Sequence, residues 1–268
     1  MNSNIKMKKQ YFPFLFFFLL TSLSGWSQSK VTSFMIEAPQ LQTSKKIWLY
    51  LPHNYNTSEK KYPVIYMHDA QNLFDNKTSY AGEWHVDETL DSLNAEVIIV
   101  GIEHGNEKRM DELTPYPNEK YGGGKADAYL DFIVTILKPH IDTNNRTKTG
   151  KMNTAIAGSS LGGLVSYYAI LKYPKIFGKA AIFSPSFWFN NTIYTLTESA
   201  RNLKTKLYFM CGDSEGETTV ADMDKMVDLV NDKRCTCMHL TKKVVIVNGK
   251  HNEKLWAKEF GKAYLWLF

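Results

Sequence analysis

Along most of the chain, short runs of β-branched and apolar residues alternate with longer stretches in which apolar residues return every three or four positions. The short runs predict strands over Lys46–Leu51, Val64–Met67, Val97–Ile102, Thr154–Ala157, Ala180–Phe183, Leu207–Cys211 and Val244–Val247. The longer stretches predict helices over Val86–Leu93, Lys125–Ile141, Leu161–Leu171, Val220–Val230 and from Glu253 to the end. Strand and helix in turn imply an α/β fold, a mainly parallel central sheet flanked by helices on both faces. In such a sheet the site lies beyond the carboxyl ends of the strands, so the residues just after each strand carry the functional signal.

The first 27 residues follow another pattern. Lys6, Lys8 and Lys9 precede an apolar run from Tyr11 to Leu23, and small residues follow at Gly25 and Ser27. That is the pattern of a secretory signal peptide cleaved before Gln28. A membrane-spanning helix needs about 20 apolar residues, whereas this run is shorter and contains Pro13. No cysteine follows the run to take a lipid. The expectation is an exported protein, periplasmic or extracellular, without stable membrane insertion, whose residues 28–268 form one α/β domain.

Composition narrows the class of partner. With 44% hydrophobic and 22% charged residues in a chain of 268, a full core can be buried. Removing the three leader lysines from 32 basic residues leaves 29 against 27 acids, and the formal charge falls from +5 to +2. The basic residues are scattered, which gives no footprint for nucleic acid. Three cysteines are too few for a disulfide framework. Cys235, Cys237 and His239 in "CTCMH" fall short of the four ligands of a closed zinc site, so no metal is expected.

The strongest local signal is "NTAIAGSSLGGLVSYY", in which a β-rich run turns into a helical stripe at two adjacent serines. "GSSLG" fits G-x-S-x-G only with Ser160 at the centre, because Gly158 and Gly162 stand two residues to either side. Ser159 has Ala157 in the corresponding place. In a nucleophile elbow the serine sits on a strained strand-to-helix turn, and flanking glycines remove the Cβ atoms that would collide there. Ser160 is therefore the expected nucleophile and Ser159 a spacer.

A serine hydroxyl needs an imidazole to take its proton and a carboxylate to orient that imidazole. Downstream of Ser160 stand His239 and His251. His239 precedes the last predicted strand, whereas His251 in "VNGKHNEKLW" follows it, at the end where the site must lie; His251 is the expected base. The acid should follow the preceding strand, where "YFMCGDSEGE" offers Asp213, Glu215 and Glu217. Position alone leaves Asp213 and Glu215 open. Backbone N–H groups of Leu161, just after the serine, and of Gln71 in the loop "YMHDAQNLFD" are the expected oxyanion donors. Arg109 and Glu112 read as a loop ion pair.

With these residues in place the sequence resembles the esterase family of α/β-hydrolases that includes esterase D, feruloyl and acetylxylan esterases, ferric-siderophore esterases and mycolyltransferases. The resemblance rests on "YMHDAQNLFD", "EWHVDETL", "RMDELTPY", "IAGSSLGGL", "FSPSFWF" and "GKHNEKLW", and spans nearly the whole mature chain. It implies the α/β-hydrolase fold, no metal or organic cofactor, and an acid three residues after the glycine that ends the strand, which is Glu215 counted from Gly212. The family usually has glycine where this chain has Ala70, and some of its siderophore esterases work with serine and histidine alone. Trp84, Phe187 and Trp188 are the expected substrate-binding aromatics, "SPSFWF" following the strand beside the serine. The expected function is a serine esterase acting on small carboxylic esters, including sugar-linked acetyl or feruloyl esters, in preference to long lipids. Two other readings stand beside it: a ferric-siderophore esterase, which calls for a basic, aromatic pocket, and a catalytically silent binding module on the same fold.

Overall fold

The computed structural model describes Met1 and residues 30–201, 203–234 and 239–268. The leader pattern over residues 2–27 and the pair Cys235 and Cys237 lie outside those residues. Eight strands run in chain order as β1 (Lys30–Ala38), β2 (Thr43–Leu51), β3 (Val64–His68), β4 (Ile98–Ile102), β5 (Thr154–Ser159), β6 (Lys179–Phe183), β7 (Lys206–Gly212) and β8 (Thr241–Ile246). They form one sheet in the order β1-β2-β4-β3-β5-β6-β7-β8. β1 pairs with β2, and β2 with β4, antiparallel; every later pairing, from β4–β3 to β7–β8, is parallel. The helices are α1 (Val86–Ser92), α2 (Arg109–Leu113), α3 (Ala126–Phe132), α4 (Lys138–Asn144), α5 (Leu161–Lys172), α6 (Thr192–Ser199), α7 (Thr219–Asp232) and α8 (Glu253–Leu267).

The sheet is covered on both faces because its central strands bury both. On one face Val64, Tyr66, Val100, Ile156, Ile182 and Phe209 join the inner stripes of α3 to α7. On the other, Ile65, Met67, Ile99, Ala155, Ala157, Phe183 and Met210 meet α1 and α8. Successive strand residues go to opposite cores, the period of two of a pleated strand. Fully burying one such Phe or Ile stabilises the fold by about 1.5–3 kcal/mol.

A π turn over Ile133–Leu137 joins α3 to α4. It stands just before Pro139, whose ring would collide with the carbonyl four residues back in an unbroken α-helix. The helical pattern over Lys125–Ile141 is thus observed as one stretch from Ala126 to Asn144 with a bulge in it.

Candidate active site

The carboxyl ends of β3, β4 and β5 and the turn after β8 converge on a cleft of about 950 Å³. Its wall includes His68, Asp69, Gln71, Trp84, Ser159, Ser160, His251, Glu253 and Trp256.

Ser160 sits between β5 and α5 with φ 58 and ψ −120, a conformation that side-chain-bearing residues rarely adopt. The turn is tight enough to demand glycine at its base. A Cβ on Gly158 would lie 2.8 Å from the Gly162 carbonyl carbon and 2.9 Å from His68 Cδ2. The backbone is held on three sides: the Ser160 N–H donates to Phe183 O at 2.9 Å, while the Leu164 and Ser186 N–H groups donate to Ser160 O at 3.0 and 3.1 Å. Its hydroxyl meets Ser186 Oγ at 3.2 Å. Ser159 is buried at the end of β5.

His251 follows β8 and its Nδ1 lies 2.9 Å from Glu215 Oε2. The Glu215 side chain has no solvent exposure, against 39% for His251. Its other oxygen, Oε1, accepts the Gly212 N–H and the Ser184 hydroxyl, both at 2.6 Å. Asp213 is turned outward: its Oδ1 accepts the Asn248 N–H at 2.7 Å and the Ser214 hydroxyl at 2.9 Å, and so ties the two loops together. Those loops touch at Gly212, where a Cβ would fall 2.3 Å from the Gly249 carbonyl carbon. Glu217 is exposed. Of the three acids that the loop offers, Glu215 alone meets His251. His239 precedes β8 and is exposed, outside the lining of the cleft.

Gln71 is the middle residue of a 3-10 turn, Ala70–Asn72, and Leu161 is the first residue of α5. Both N–H groups therefore belong to helix starts, which leave their donors without an intrahelical acceptor. Asp69, in the left-handed region at φ 58, fixes the entry to the 3-10 turn. Its carboxylate is gripped by the Arg109 fork, Nε to Oδ1 at 2.7 Å and a terminal nitrogen to Oδ2 at 2.8 Å. Burial opposes the charge on Asp69, but the guanidinium overrides it and holds the carboxyl below its ordinary range. Ala70 fits because the neighbouring strand offers Gly101, where a Cβ would lie 2.8 Å from the alanine methyl.

His68 lies beneath the elbow, wholly buried, with Nδ1 2.7 Å from the Tyr129 hydroxyl. Burial pushes its pKa down from 6.5 to about 4, with Asp69 opposing and Arg109 assisting. The native state thus keeps His68 neutral while the unfolded chain protonates it near 6.5. Stability from this group is whole above pH 6.5 and is lost as pH falls towards 4, by about 3 kcal/mol. Denaturant titrations of wild type and His68→Gln at pH 7 and pH 4.5 check this: the variant should lose less stability on acidification.

Three expectations change. Phe187 has no exposure, packs on Tyr167, Tyr194 and Phe209 and does not line the cleft, so it is a core residue. Trp188 is 52% exposed and stands edge-on to Tyr121 outside the cleft lining, because the 3-10 turn over Phe187–Phe189 aims it to solvent. Trp84 does line the cleft, though it is mostly buried against Phe183, Trp256 and Phe260. The ion pair expected between Arg109 and Glu112 is replaced by two others, Arg109 with Asp69 and the buried Glu112 with Lys45 at 2.5 Å.

Sequence reasoning missed Ser184, Ser186 and Trp256. All three stand inside quoted motifs, but "FSPSFWF" drew attention to its rings rather than its serines. Glu83, His85 and Glu88 bring potential ligand atoms within 4.8 Å of one another, yet none of them lines the cleft.

Comparison with known proteins places this geometry. The sequence profile of the family described as "Putative esterase" matches residues 38–267. "Uncharacterized protein YbbA" of Bacillus subtilis is 30% identical over 243 residues, covering 84% of this chain and 93% of that protein. The "Endo-1,4-beta-xylanase/feruloyl esterase" of Xylanibacter ruminicola is 24% identical over 198 residues, 69% of this chain but 24% of that longer protein. The enterobactin esterase of Shigella flexneri shares the fold, with a TM-score of 0.72 at 15% identity over 89% of this chain and 58% of that one. A family profile that spans 230 of the 268 residues, from the end of β1 to the last turn of α8, settles the affiliation: this chain belongs to that esterase family and has its α/β-hydrolase fold.

Proposed function

We propose that the chain is an exported serine esterase that hydrolyses small, uncharged carboxylic esters, sugar-linked acyl esters among them, through an acyl-enzyme on Ser160. The observation that carries the proposal is that His251, paired with Glu215, lines the same cleft as the strained Ser160 turn. Ser160 Oγ attacks the ester carbonyl as His251 takes its proton, and the Gln71 and Leu161 N–H groups receive the developing oxyanion. The tetrahedral adduct collapses, the C–O bond to the alcohol breaks, and His251 returns the proton to that alcohol. Water activated by the same imidazole then releases the acid and restores the serine. Glu215 stabilises the imidazolium in both halves. Export rests on the N-terminal pattern; among the described residues no helix is long and apolar enough to cross a membrane.

The charge of the cleft favours an uncharged substrate over a ferric siderophore. Asp69, Glu103 and Glu253 line it; Arg109 engages Asp69 and Lys46 engages Glu103 at 3.1 Å, so neither cation is left over for an anionic substrate. Burial holds His104 below its ordinary pKa, so it adds little positive charge at neutral pH. A catecholate complex carrying several negative charges would meet like charge here. The longer relative's name, "Endo-1,4-beta-xylanase/feruloyl esterase", supports feruloyl and sugar-linked esters as the class to test.

A screen with short acyl nitrophenyl esters, acetylated and feruloylated sugars, and ferric enterobactin tests the proposal. Turnover of the first two classes is expected, with little on acyl chains beyond about eight carbons. Preference for ferric enterobactin or for long-chain lipids would overturn it. Trp188→Ala should leave KM for nitrophenyl acetate unchanged, because the indole stands outside the cleft; a raised KM in steady-state assays would return Trp188 to the substrate pocket.

A further inference from the structure

Four side chains close a ring around the base. Trp256, on the first turns of α8, donates its indole N–H to Ser184 Oγ at 2.7 Å. Ser184 bonds Glu215 Oε1 at 2.6 Å, and Glu215 Oε2 meets His251 Nδ1 at 2.9 Å. The ring returns on itself because the His251 imidazole stands edge-to-face on the same Trp256 indole, with centroids 4.9 Å apart and planes at 88°. An indole N–H can only donate. Ser184 must therefore accept from Trp256 and turn its own proton onto the carboxylate. With the Gly212 N–H on the same oxygen, Oε1 is saturated by two donors. That leaves Oε2 to accept from Nδ1–H, the tautomer in which Nε2 is free to take a proton.

The backbone supports this arrangement. Ser184, directly after β6, is held at a positive φ of 43, in the region where non-glycine residues are uncommon. Ser184 and Trp256 are both buried, so loss of Ser184 would leave the indole N–H without its acceptor, and loss of Trp256 would leave the Ser184 hydroxyl held by Glu215 alone. We propose that Trp256 and Ser184 are positioning residues of the esterase reaction: Trp256 clamps the His251 ring by its face and, through the Ser184 hydroxyl, fixes the carboxylate that selects the His251 tautomer. The inference rests on the reading of Ser160 and His251 given above.

The test is a double-mutant cycle on a short acyl nitrophenyl ester with Trp256→Phe, Ser184→Ala and the pair together. Phenylalanine keeps an aromatic face for the imidazole and removes the donor; the pair leaves neither partner orphaned. Each single change should lower kcat by about tenfold with KM unchanged, and the pair should cost no more than the worse single, since both cut one chain. The acid limb of kcat/KM should move to higher pH in Ser184→Ala, because a carboxylate with one donor fewer keeps more charge for the imidazolium. Additive losses, an unmoved acid limb, or a rise in KM at constant kcat would overturn the clamp. Ser160→Ala assayed in parallel separates the two claims: if it keeps wild-type turnover the serine esterase reading fails and the clamp with it, whereas an inactive Ser160→Ala beside unaffected Trp256 and Ser184 variants defeats the clamp alone.

Discussion

Replacing Ser160 by alanine is expected to lower ester turnover by about 10⁶, the scale on which a serine nucleophile of a triad is felt. The change removes one oxygen and leaves the turn intact. The bonds that hold the elbow run through the Ser160 N–H and carbonyl, to Phe183, Leu164 and Ser186, and do not involve the hydroxyl. The oxyanion donors are also backbone groups, so a residual rate above water should survive. Ser159→Ala should keep most of the wild-type rate, because Ser159 is buried at the end of β5 and its neighbour occupies the strained corner. Steady-state kinetics on a short acyl nitrophenyl ester measure both. A serine-reactive phosphonate, followed by peptide mass, should label Ser160 and spare Ser159. Equal loss in the two variants would remove the assignment.

That corner was legible from spacing because its cause is local. A Cβ at Gly158 collides with the first turn of α5 whatever the rest of the molecule does, so the glycine pattern reports geometry directly. The central strands were legible for a related reason. Val64–His68, Ile98–Ile102 and Thr154–Ser159 are buried throughout and read as short apolar runs. β1 was not, since its "FMI" run breaks the alternation and leaves Met35 61% exposed on the sheet edge. α6 was missed because "TIYTLTES" is rich in β-branched residues that argue against a helix; its burial of Ile193, Tyr194 and Thr197 against the core overrides them.

The partners of the site were harder to see, because they depend on how distant loops meet. Nothing in "RMDELTPY" tells that Arg109 reaches across 40 residues to Asp69, nor that Glu112 turns to Lys45. The aromatic cluster "SFWF" misled for the same reason: one 3-10 turn sends Phe187 and Phe189 into the core and Trp188 to solvent. Composition could not reveal the acidic lining either, since a chain with an excess of basic residues nevertheless gathers Asp69, Glu103 and Glu253 at its cleft.

Glu215→Gln is expected to lower kcat by about 10⁴, and Asp213→Asn to leave it within a few-fold of wild type. A carboxylate only accepts hydrogen bonds, and Glu215 uses that property on both oxygens. Glutamine has the same shape but must place an NH₂ group at one of the two sites. Against the Gly212 N–H and the Ser184 hydroxyl it would set donor against donor, so the amide turns its NH₂ towards His251. Nδ1 must then accept, the ring proton moves to Nε2, and the imidazole can no longer take the Ser160 proton. Asp213 faces the outer loops, where asparagine can still accept from the Asn248 N–H. His251→Ala should cost nearly as much as losing the serine, and His239→Ala, exposed ahead of β8, should cost almost nothing. Steady-state kinetics on the four variants, with thermal melts to confirm folding, separate the outcomes. If Asp213→Asn is the more damaging change the acid moves by two residues, and if neither acid variant loses rate the reaction runs on serine and histidine alone.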